Sequence, residues 1–587
     1  MVTVERKRKN TRPARKILLT GVYGPFGVTC DAAEGNGMQM ELLNNQITRQ
    51  QGIHSPRQFY YTLALYFLAE NISIPSTVLD FPTWKAFCKE LATGAYTHVG
   101  INFIVPNVGK AGRMAQYIRM HHPGIQIIVG GYGAAIPELQ RLVPHDAVCK
   151  GEGISWLRRY FGDDPEAPVR HPILQNPIEQ RLYGYKSVPR SSVLVPGLGC
   201  TNGCEFCVTS HHYEKQYVPL LKTGREIFEV CKEAYETRKA SGFTIMDENF
   251  LKEPTRAREL LALMEEAGTP FVFEIFSSAE VVREVGVDFL VRLGVKMVWI
   301  GVESRAWTHA KVAGLDLKGM IRELQKNGIS VNSSAILFLD HHTPEELAAD
   351  VEWVLDLGAD MTQFMNYTPL PGTALCKRLR KSGQLRAHAE FPYRHHTGAG
   401  ELNWEHPHIK DGAAHFSILR DAFKAKYEEG GSAVLNMAMT ALQGYISARD
   451  RLWQCQDEGM AWDAATGRYE KVDQPVADQF LELRIRKSQR IAMNMRGVIL
   501  TNMVYGPNLR ARKKAVKAMG LMVKAFGIPD VKTTATSLAL LGMATMEFGR
   551  HLRARLKGQE TTILQPPTIR RSYDGVQALA RVRETMS

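Results

Sequence analysis

Three cysteines lie close together in the stretch VPGLGCTNGCEFCVTSHHY, residues 195–213. Cys200, Cys204 and Cys207 have the spacing Cys-x3-Cys-x2-Cys, and Phe206 precedes the last of them. Thiolates at such spacing bind zinc or the irons of an iron–sulfur cluster. A structural zinc site takes four ligands, and the chain has no second CxxC pair to complete one. Three thiolates on a four-iron cube would leave one iron open to an external ligand, so we interpret the loop as a cluster site.

The cysteine loop resembles the signature of the radical S-adenosylmethionine (radical SAM) superfamily, including its place after the first strand of a barrel. The resemblance implies a 4Fe-4S cluster whose open iron chelates the amino and carboxylate groups of S-adenosylmethionine (SAM). It further implies that the reduced cluster cleaves SAM to a 5′-deoxyadenosyl radical. The electron would come from an external donor of the flavodoxin or ferredoxin type.

Three later stretches resemble the SAM-binding segments of that superfamily, namely DENF (247–250), IGVES (300–304) and YTPLPGTAL (367–375). The resemblance implies that the first binds the SAM amine, the second faces the cofactor and the third lies near the adenine. Carboxylates suit the first role because they accept hydrogen bonds from an ammonium group. The SAM contacts expected on this basis are Phe206, Asp247, Glu248, Glu303, Ser304, Pro371 and Gly372.

The region ahead of the barrel resembles the cobalamin-binding class of the superfamily. The shared features are a glycine loop after the first strand and the segments VGINFIVPN (99–107), VGGYGAAIPE (129–138) and KGEG (150–153), so the resemblance covers roughly residues 16–382. Glycines there would let the backbone approach a corrinoid. The cobalamin contacts expected on this basis are Tyr23, Gly24, Asn102, Gly130, Gly131, Tyr132, Gly133 and Glu152. The Asp-x-His-x-x-Gly sequence that supplies a histidine to cobalt in other cobalamin proteins is absent.

Short apolar segments alternate with amphipathic ones over residues 16–164, which predicts an α/β domain with a doubly wound, Rossmann-like parallel sheet. Its predicted strands are 16–22, 98–104, 125–131 and 146–153, and its predicted helices are about 57–70 and 109–120. Ligands of such sheets bind beyond the carboxyl ends of the strands, where this chain has its glycines.

Residues 165–190 contain five prolines and predict a linker. Residues 191–384 contain six strand–helix units and predict a partial (β/α)6 barrel with its chemistry at the carboxyl ends of the strands. Residues 385–587 predict a mainly α-helical C-terminal domain, and residues 1–15 a basic tail. No segment predicts a transmembrane helix.

Nine cysteines are present, and six are scattered singly at Cys30, Cys88, Cys149, Cys231, Cys376 and Cys455. This pattern is not a disulfide framework, and the basic start of the chain has no apolar signal segment, so we expect a cytoplasmic protein. The net charge is +13, and residues 481–560 hold 16 Lys and Arg against four acids. Such a basic surface is either simply solvated or binds an anionic partner. For the second case we consider peripheral contact with the inner face of a membrane.

The sequence favours a cobalamin-dependent radical SAM methyltransferase that acts on an unactivated carbon of a small, hydrophobic or lipid substrate. Ring formation or oxidative cyclisation without methyl transfer uses the same parts and stays an alternative. A tRNA methylthiotransferase-like enzyme would need a second cluster on Cys30, Cys88 and Cys149, which lie roughly sixty residues apart. A nucleic-acid partner is therefore not expected, and a non-enzymatic cobalamin or cluster sensor ranks last. The histidine pairs 211–212 and 341–342 are candidates for proton transfer, although histidines in such pairs more commonly have a structural role.

Overall fold

The computed structural model of the chain describes residues 15–26, 45–187, 190–306, 314–474, 477–558 and 565–575. The chain divides into two compact units. The first unit comprises Met1–Gly37, Thr62–Pro172 and Gln565–Ser587, and the second comprises Met38–Tyr61 and Ile173–Leu564.

The strands of the described residues are numbered in chain order. They are β1 (Ile17–Thr20), β2 (Arg57–Phe59), β3 (Ser76–Asp80), β4 (His98–Asn102), β5 (Gln126–Gly130), β6 (Ala147–Val148), β7 (Glu179–Leu182), β8 (Tyr185–Ser187), β9 (Ser191–Leu194), β10 (Gly197–Leu198), β11 (Val218–Pro219), β12 (Gly242–Ile245), β13 (Val272–Phe276), β14 (Val295–Glu303), β15 (Ser330–Leu337), β16 (Met361–Asn366), β17 (Met460–Asp463), β18 (Arg468–Lys471) and β19 (Ile569–Tyr573).

The α-helices of the described residues are numbered in the same way. They are α1 (Asn45–Thr48), α2 (Leu63–Glu70), α3 (Trp84–Thr93), α4 (Val108–His121), α5 (Leu139–Leu142), α6 (Gly153–Phe161), α7 (Val208–His212), α8 (Gly224–Arg238), α9 (Pro254–Glu266), α10 (Ala279–Val285), α11 (Val287–Leu293), α12 (Leu317–Lys326), α13 (Pro344–Asp356), α14 (Ala374–Lys381), α15 (Gly412–Gly430), α16 (Ala433–Asp457), α17 (Gln479–Asn494), α18 (Arg496–Tyr505), α19 (Leu509–Phe526) and α20 (Val531–Leu556).

The first unit is built on a six-stranded sheet in the order β19-β3-β1-β4-β5-β6. Strands β3, β1, β4, β5 and β6 are parallel, and β19 pairs antiparallel with the β3 edge. All four residues of β1 are buried, as expected of a central strand with helices on both faces. The order of the parallel strands changes direction between β1 and β4, and ligands of open α/β sheets bind at such a switch point.

The second unit contains a six-stranded parallel sheet in the order β16-β15-β14-β13-β12-β9. The six strands are those predicted for the partial barrel, and each is followed by one or more helices. Alternate side chains such as Ile245, Ile275 and Val298 are buried in one core under these helices. The intervening side chains, such as Phe276 and Trp299, therefore lie on the opposite face, here called the inner face.

Local sequence signals define where several of the helices that follow these strands begin. Thr223 and Glu226 form a capping box at the start of α8, and Thr343 and Glu346 form one at α13. Each pair satisfies backbone N–H groups that the first helical turn leaves free. These helices therefore begin at fixed residues and hold the strand ends, where the candidate site lies, in register.

Helices α15–α20 form most of the C-terminal part of the second unit. α16, α18, α19 and α20 share a core that includes Leu435, Leu442, Ile499 and Met522. α16 approaches the loop before β15 so closely that a Cβ on Gly444 would lie 2.3 Å from the Cα of Gly328. None of the described helices is both long enough and apolar enough to cross a membrane.

The structure differs from the sequence prediction at several elements. Residues 57–70 were predicted as one helix, but the segment starts with β2, which pairs with β7, and only then forms α2. The predicted linker 165–190 contains β7 and β8, and the predicted helical domain contains the β17–β18 hairpin and ends in β19. Strand β3 was not predicted. Each of these strands is very short or pairs with a partner that is distant in sequence. A strand of either kind gives no clear hydrophobic pattern in the local sequence.

Candidate functional site

The three clustered cysteines lie in the loop between β10 and α7, beyond the carboxyl end of β9. Cys204 is buried, and Cys200 and Cys207 are half-buried. Cys207 is also the N-cap of α7. The loop therefore stands where parallel α/β sheets bind their ligands.

Two glycines and one serine fix the path of this loop. Gly199 has φ of 83°, and a Cβ on it would lie 2.2 Å from the Gln216 carbonyl oxygen, so only glycine fits. The buried Ser210 hydroxyl donates to the Cys200 carbonyl (2.8 Å) and accepts from the Gly203 N–H (3.1 Å). The Ser210 N–H also donates to the Cys207 sulfur (3.5 Å). One residue of α7 thus ties both ends of the cysteine loop together.

The donor set of the loop fits an iron–sulfur cube better than a single metal ion. Burial raises the pKa of the Cys207 thiol to about 12, with a smaller rise from the neighbouring Glu248, so a free thiolate is unfavourable there without a bound cation. Within the described ranges, no group of three His, Cys, Asp or Glu side chains could hold one metal ion. The cysteines of a cube each bind a different iron, so their sulfurs need not converge on one point.

Asp247, which follows β12, is fully engaged by protein groups. Its Oδ2 accepts hydrogen bonds from Arg256 Nη2 (3.0 Å) and the Tyr217 hydroxyl (2.6 Å). Its Oδ1 accepts from the Asn249 N–H (3.1 Å), and the whole residue is buried. Asp247 is thus held in place by Arg256 and Tyr217, and the expected contact of Asp247 and Glu248 with the SAM amine stays a prediction.

Glu248 lies beside the cysteine loop. Protein atoms crowd its carboxyl although the residue keeps an exposed surface, and this burial raises the pKa of the carboxyl. A hydrogen bond with Thr209 of α7 opposes the rise, and the charge of Asp247 adds to it. An ammonium group placed here would restore a charged carboxylate and relieve the desolvation.

Glu303 and Ser304 end β14 in different ways. Glu303 is buried and has φ of 58°, a left-handed conformation that non-glycine residues rarely adopt, at a register shift against β15. Ser304 hydrogen-bonds with Asp350, which also accepts from His342 Nε2 (3.1 Å). Burial alone would raise the pKa of Asp350, but these hydrogen bonds lower it. Ser304 and His342 are thus held in a structural network, and the strained Glu303 is the group of β14 that suits a ligand.

Pro371 and Gly372 form the turn between β16 and α14. Pro371 is buried, whereas Gly372 is exposed with φ of 91°. The Thr373 hydroxyl caps α14 by accepting from the Cys376 N–H (3.1 Å). The Leu375 N–H at the start of α14 donates to the Glu205 carbonyl (3.0 Å), so the segment that follows this turn contacts the cysteine loop.

The model of the radical SAM superfamily matches residues 194–354 of this chain. That stretch begins at the end of β9 and includes the three cysteines, Asp247, Glu248, Glu303 and Ser304. Residues 194–354 form a radical SAM domain. The resemblance of the cysteine loop to this superfamily is thereby confirmed.

Curated proteins similar to the chain are methyltransferases. An uncharacterized methyltransferase of Pyrococcus horikoshii is 24% identical over 43% of this chain and 58% of its own length. The bacteriochlorophyllide d C-8(2)-methyltransferase of Chlorobaculum tepidum is 27% identical over 35% of this chain and 47% of its own. The chain thus spans about half the length of the curated relatives it matches.

A solved structure is also similar to the chain at a lower level. It is the radical S-adenosylmethionine methyltransferase TsrM from Kitasatospora setae with cobalamin and a [4Fe-4S] cluster bound. The sequences are 16% identical, the TM-score is 0.44, and the match covers 63% of this chain and 75% of the other.

A further charged residue of the radical SAM domain, Glu205, was missed by the sequence analysis. Its carboxylate accepts from the Tyr367 hydroxyl and from Arg378 Nε (3.2 Å), and Arg378 Nη2 donates to Asp340 (2.6 Å). These partners follow β15 and β16 or lie on α14, so Glu205 fastens the cysteine loop to the far end of the sheet. The only sequence signal was its position between two cluster-type cysteines. Phe206 beside it packs against the core under the helices, at 6.3 Å from the Tyr367 ring centroid.

The first unit places most residues of the expected cobalamin site at the carboxyl ends of β1, β4 and β5. Tyr23 is buried edge-on against Trp84 (centroids 4.9 Å apart), and the following Gly24 N–H donates to the Pro82 carbonyl (2.9 Å). Arg113 stacks over Trp84 at 4.7 Å, and the buried Lys110 donates to the Pro25 carbonyl (2.6 Å). Aromatic and cationic groups thus gather at the switch point of this sheet.

The glycines after β5 make a close contact different from the expected one. A Cβ on Gly131 would lie 2.3 Å from Asn102 Oδ1, and one on Gly133 would lie 2.2 Å from the Phe103 ring. Their lack of side chains therefore lets the β5 loop pack on the end of β4, while Gly130 and Tyr132 are half-buried beside them. The close approach explains these glycines without a ligand.

Glu152 is the N-cap of α6, where it accepts from the Ser155 N–H (2.7 Å). This is a structural role different from the expected cobalamin contact. Asn107, by contrast, is fully buried after β4, and neither side-chain polar atom has a partner in the described part of the chain. It lies in the VGINFIVPN segment and was not singled out by sequence. A buried amide without partners costs free energy unless a ligand or water satisfies it.

The three scattered cysteines considered for a second cluster, and the histidine pair after the cysteine loop, lie in different surroundings. Cys30 lies outside the described residues, Cys88 hydrogen-bonds with Tyr117, and Cys149 packs beside Gly130. In the described residues these cysteines belong to no metal-type group. The His211 Nε2 atom is buried beside the cysteine loop without a partner in the same part of the chain, and burial lowers the pKa of this imidazole.

Proposed function

We propose that the chain is a cobalamin-dependent radical SAM methyltransferase that methylates an unactivated carbon of an apolar substrate. The observation that carries the proposal is the three-cysteine loop at the carboxyl end of the first strand of a radical SAM domain. When bound, the cluster and SAM supply the hydrogen-abstracting radical, and cobalamin supplies the methyl group. The similarity to curated methyltransferases supports methyl transfer over other outcomes.

The residues of the radical SAM domain would bind and orient these cofactors. Cys200, Cys204 and Cys207 would hold the cluster in a loop whose path Ser210 fixes. Glu248 would accept hydrogen bonds from the SAM amine, and Glu303 would face SAM from the end of β14. Fixed positions matter because a radical must form within contact distance of its target hydrogen, and misplacement by an ångström costs rate.

The first unit is the proposed cobalamin domain. Its parallel strand order with a switch point between β1 and β4, and its four matching segments, support this assignment. Buried groups at the carboxyl ends, above all Lys110 and the unpartnered Asn107 amide, offer donors for the polar side chains of a corrin ring. Since the Asp-x-His-x-x-Gly motif is absent from the sequence, cobalamin would be held by residues of these segments rather than by that histidine.

The inner face of the second-unit sheet supports an apolar substrate. The rings of Phe276 and Trp299 stack there with centroids 5.1 Å apart. Met297 and Trp299 pack with Met361 of β16 and with Met437 of α16. Methionines adapt their shape to irregular apolar ligands, and aromatic rings provide large flat contacts. A lipid or another hydrophobic molecule therefore suits this face better than a sugar does.

Peripheral membrane contact through the C-terminal helices is the proposed route to such a substrate. In α19 the exposed apolar residues Leu509, Val516 and Val523 recur every seven positions. Each is followed by a cation, namely Arg510, Lys517 and Lys524. α20 exposes Leu538, Met546 and Leu552 as well. Exposed apolar residues flanked by cations favour the interface of an anionic membrane.

The proposal is tested by anaerobic reconstitution with iron, sulfide and hydroxocobalamin, followed by desalting and assays of iron and cobalt. We expect about four irons and one corrin per chain, and transfer of label from methyl-labelled SAM to an apolar product. Cys204→Ala should lose the iron, whereas Cys88→Ala, which removes a half-buried cysteine outside the loop, should keep it. Iron without corrin would contradict methyl transfer, and an unlabelled, hydrogen-deficient product would assign ring formation instead.

A further inference from the structure

A pocket lies at the amino-terminal ends of β13, β14 and β15, at the opposite ends of the strands from the cysteine loop. It encloses about 1090 Å³ of empty space, including its open mouth, between these strands and the helices α16 and α17. Apolar side chains form most of its wall, among them Val272, Met297, Met437, Leu481, Ile491 and Met495. An apolar wall of this kind suits an alkyl chain.

The charged residues that line this pocket are all cations. They are Arg292, Lys296, Arg484 and Lys487, and no acidic residue is among the lining residues. Arg292 forms ion pairs with Glu265 and Asp478, and Lys296 pairs with Glu274 at 2.9 Å. The charges of these two residues are therefore compensated from outside the pocket.

Arg484 and Lys487 of α17 form no such ion pair, although the charge of Glu265 lies near enough to Arg484 to favour its charged form. Arg484 donates to the carbonyls of Phe271, Arg292 (3.0 Å) and Leu293 (2.6 Å). Lys487 Nζ donates to the carbonyls of Ser241 (2.9 Å) and Pro270 (2.7 Å). Neither forms an ion pair with a carboxylate in the described part of the chain. These carbonyls dock α17 onto the strand ends, but they leave the net positive charge in place.

Donor groups of both residues stay available. A guanidinium has five N–H donors and an ammonium has three, so each side chain has more donors than carbonyl partners. Burial, and to a smaller extent the nearby cations Arg484, Lys296 and Arg490, lower the pKa of Lys487 to about 7. A buried cation without a counter-charge is costly, and a bound anion would remove that cost.

We infer that this pocket binds an anionic amphiphile, with a carboxylate or phosphate head at Arg484 and Lys487 and an apolar chain along the methionine- and leucine-lined wall. A purely apolar ligand would leave the two cations uncompensated, and a small inorganic anion would leave the wall in water. Fatty acids and phosphorylated lipids share the required chemistry. The pocket shares Met297 and Met437 with the inner face described above, but its cations lie at the strand ends opposite the cysteine loop. The binding test below uses no cofactor, so its outcome does not depend on the proposed reaction.

The inference is tested by calorimetric titration of the full chain with three ligands that carry the same alkyl chain: decanoate, decyl phosphate and decanol. We expect the two anions to bind and decanol to bind at least about tenfold more weakly. Tighter binding of decanoate or of decyl phosphate would identify the fatty-acid or the phosphate source. Equal affinity of all three ligands would overturn the inference.

Matched variants locate the binding site. Lys487→Met removes the charge but keeps an unbranched apolar side chain, and it should weaken binding of the anions about tenfold or more. Arg486→Met changes the neighbouring cation of α17, whose side chain is 71% exposed, and should bind the anions as the wild type does. Equal anion affinities of Lys487→Met and wild type would refute the assignment.

A third variant covers the case in which Lys487→Met does not fold. Ser488 lines the pocket beside Lys487, and Ser488→Asp would supply a carboxylate to the two uncompensated cations. This variant should melt at a higher temperature than the wild type and bind the anions more weakly, because its own carboxylate competes for the cations. Unchanged anion affinity in this variant would refute the inference independently.

Discussion

Asp247 and Glu248 are adjacent carboxylates, and their exchange for amides should have opposite consequences. Asp247→Asn should destabilise the second unit, because Arg256 and Tyr217 depend on that carboxylate. Glu248→Gln should leave stability almost unchanged and weaken SAM binding, because this carboxyl has an exposed surface beside the cysteine loop. The two variants therefore separate a structural role from a binding role.

The loss of stability expected for Asp247→Asn follows from the burial of this side chain. The side chains of Asp247 and Arg256 retain 1% and 4% of their exposed surface, and their charged atoms are 3.0 Å apart. Removing one partner of a buried pair costs about 3–5 kcal/mol, since the other charge stays uncompensated. Asparagine keeps the shape and one acceptor, so we expect the lower end of this range and, for a unit of this size, a fall in melting temperature of roughly 3–4 °C.

The loss of SAM affinity expected for Glu248→Gln follows from one charge-assisted hydrogen bond. Loss of a hydrogen bond between charged groups costs about 1.5–3 kcal/mol, which corresponds to a roughly 10- to 100-fold rise in the dissociation constant of SAM. Thermal denaturation followed by circular dichroism gives the first quantity, and equilibrium dialysis of SAM with the reconstituted protein gives the second. A stable Asp247→Asn protein that fails to bind SAM, together with a destabilised Glu248→Gln protein, would refute the reasoning.

Two further predictions concern the cysteine loop and the C-terminal helices. Arg378→Gln should release iron to a chelator about fivefold faster than wild type, because two half-exposed ion pairs together contribute about 1 kcal/mol to holding the loop. Arg420→Gln, which loses an exposed pair with Asp421, should match wild type, and equal rates for both variants would contradict a positioning role for Arg378. The protein should float with anionic liposomes at low salt and dissociate at high salt, and Leu538→Glu should reduce flotation. Salt-insensitive flotation, or none, would count against the membrane proposal.

The sequence predicted the second-unit sheet well because its signals are local. All six strands are short apolar runs followed by helices with clear starts, such as the capping boxes at Thr223 and Thr343. The cysteine loop was equally accessible, since its chemistry depends on spacing alone. Strands β2, β7 and β19 were missed because their sequences, RQF, EQRL and IRRSY, are short and rich in charged and polar residues, so they lack the apolar run that marks the other strands.

The roles of individual site residues depended on burial, which sequence does not show. Asp247 and Glu248 look equivalent in DENF, but only the first meets Arg256 in the core. Glu152 in KGEG looked like a ligand contact and is a helix cap. Glu205 looked unremarkable between two cysteines, yet it bonds with residues more than 130 positions later in the chain. These residues are distinguished by their tertiary contacts, which the sequence does not show.

The pairing of β19 with β3 makes the second unit an insertion within the first. A ribosome finishes the second unit before it makes Ile569–Tyr573, so the edge of β3 stays open during most of synthesis. An open strand edge is a site of aggregation, and a chain shortened before residue 565 would keep that edge permanently. The first unit should therefore be produced for study by joining its three segments, Met1–Gly37, Thr62–Pro172 and Gln565–Ser587, because the first carries the central strand β1, rather than by cutting the chain at its predicted linker.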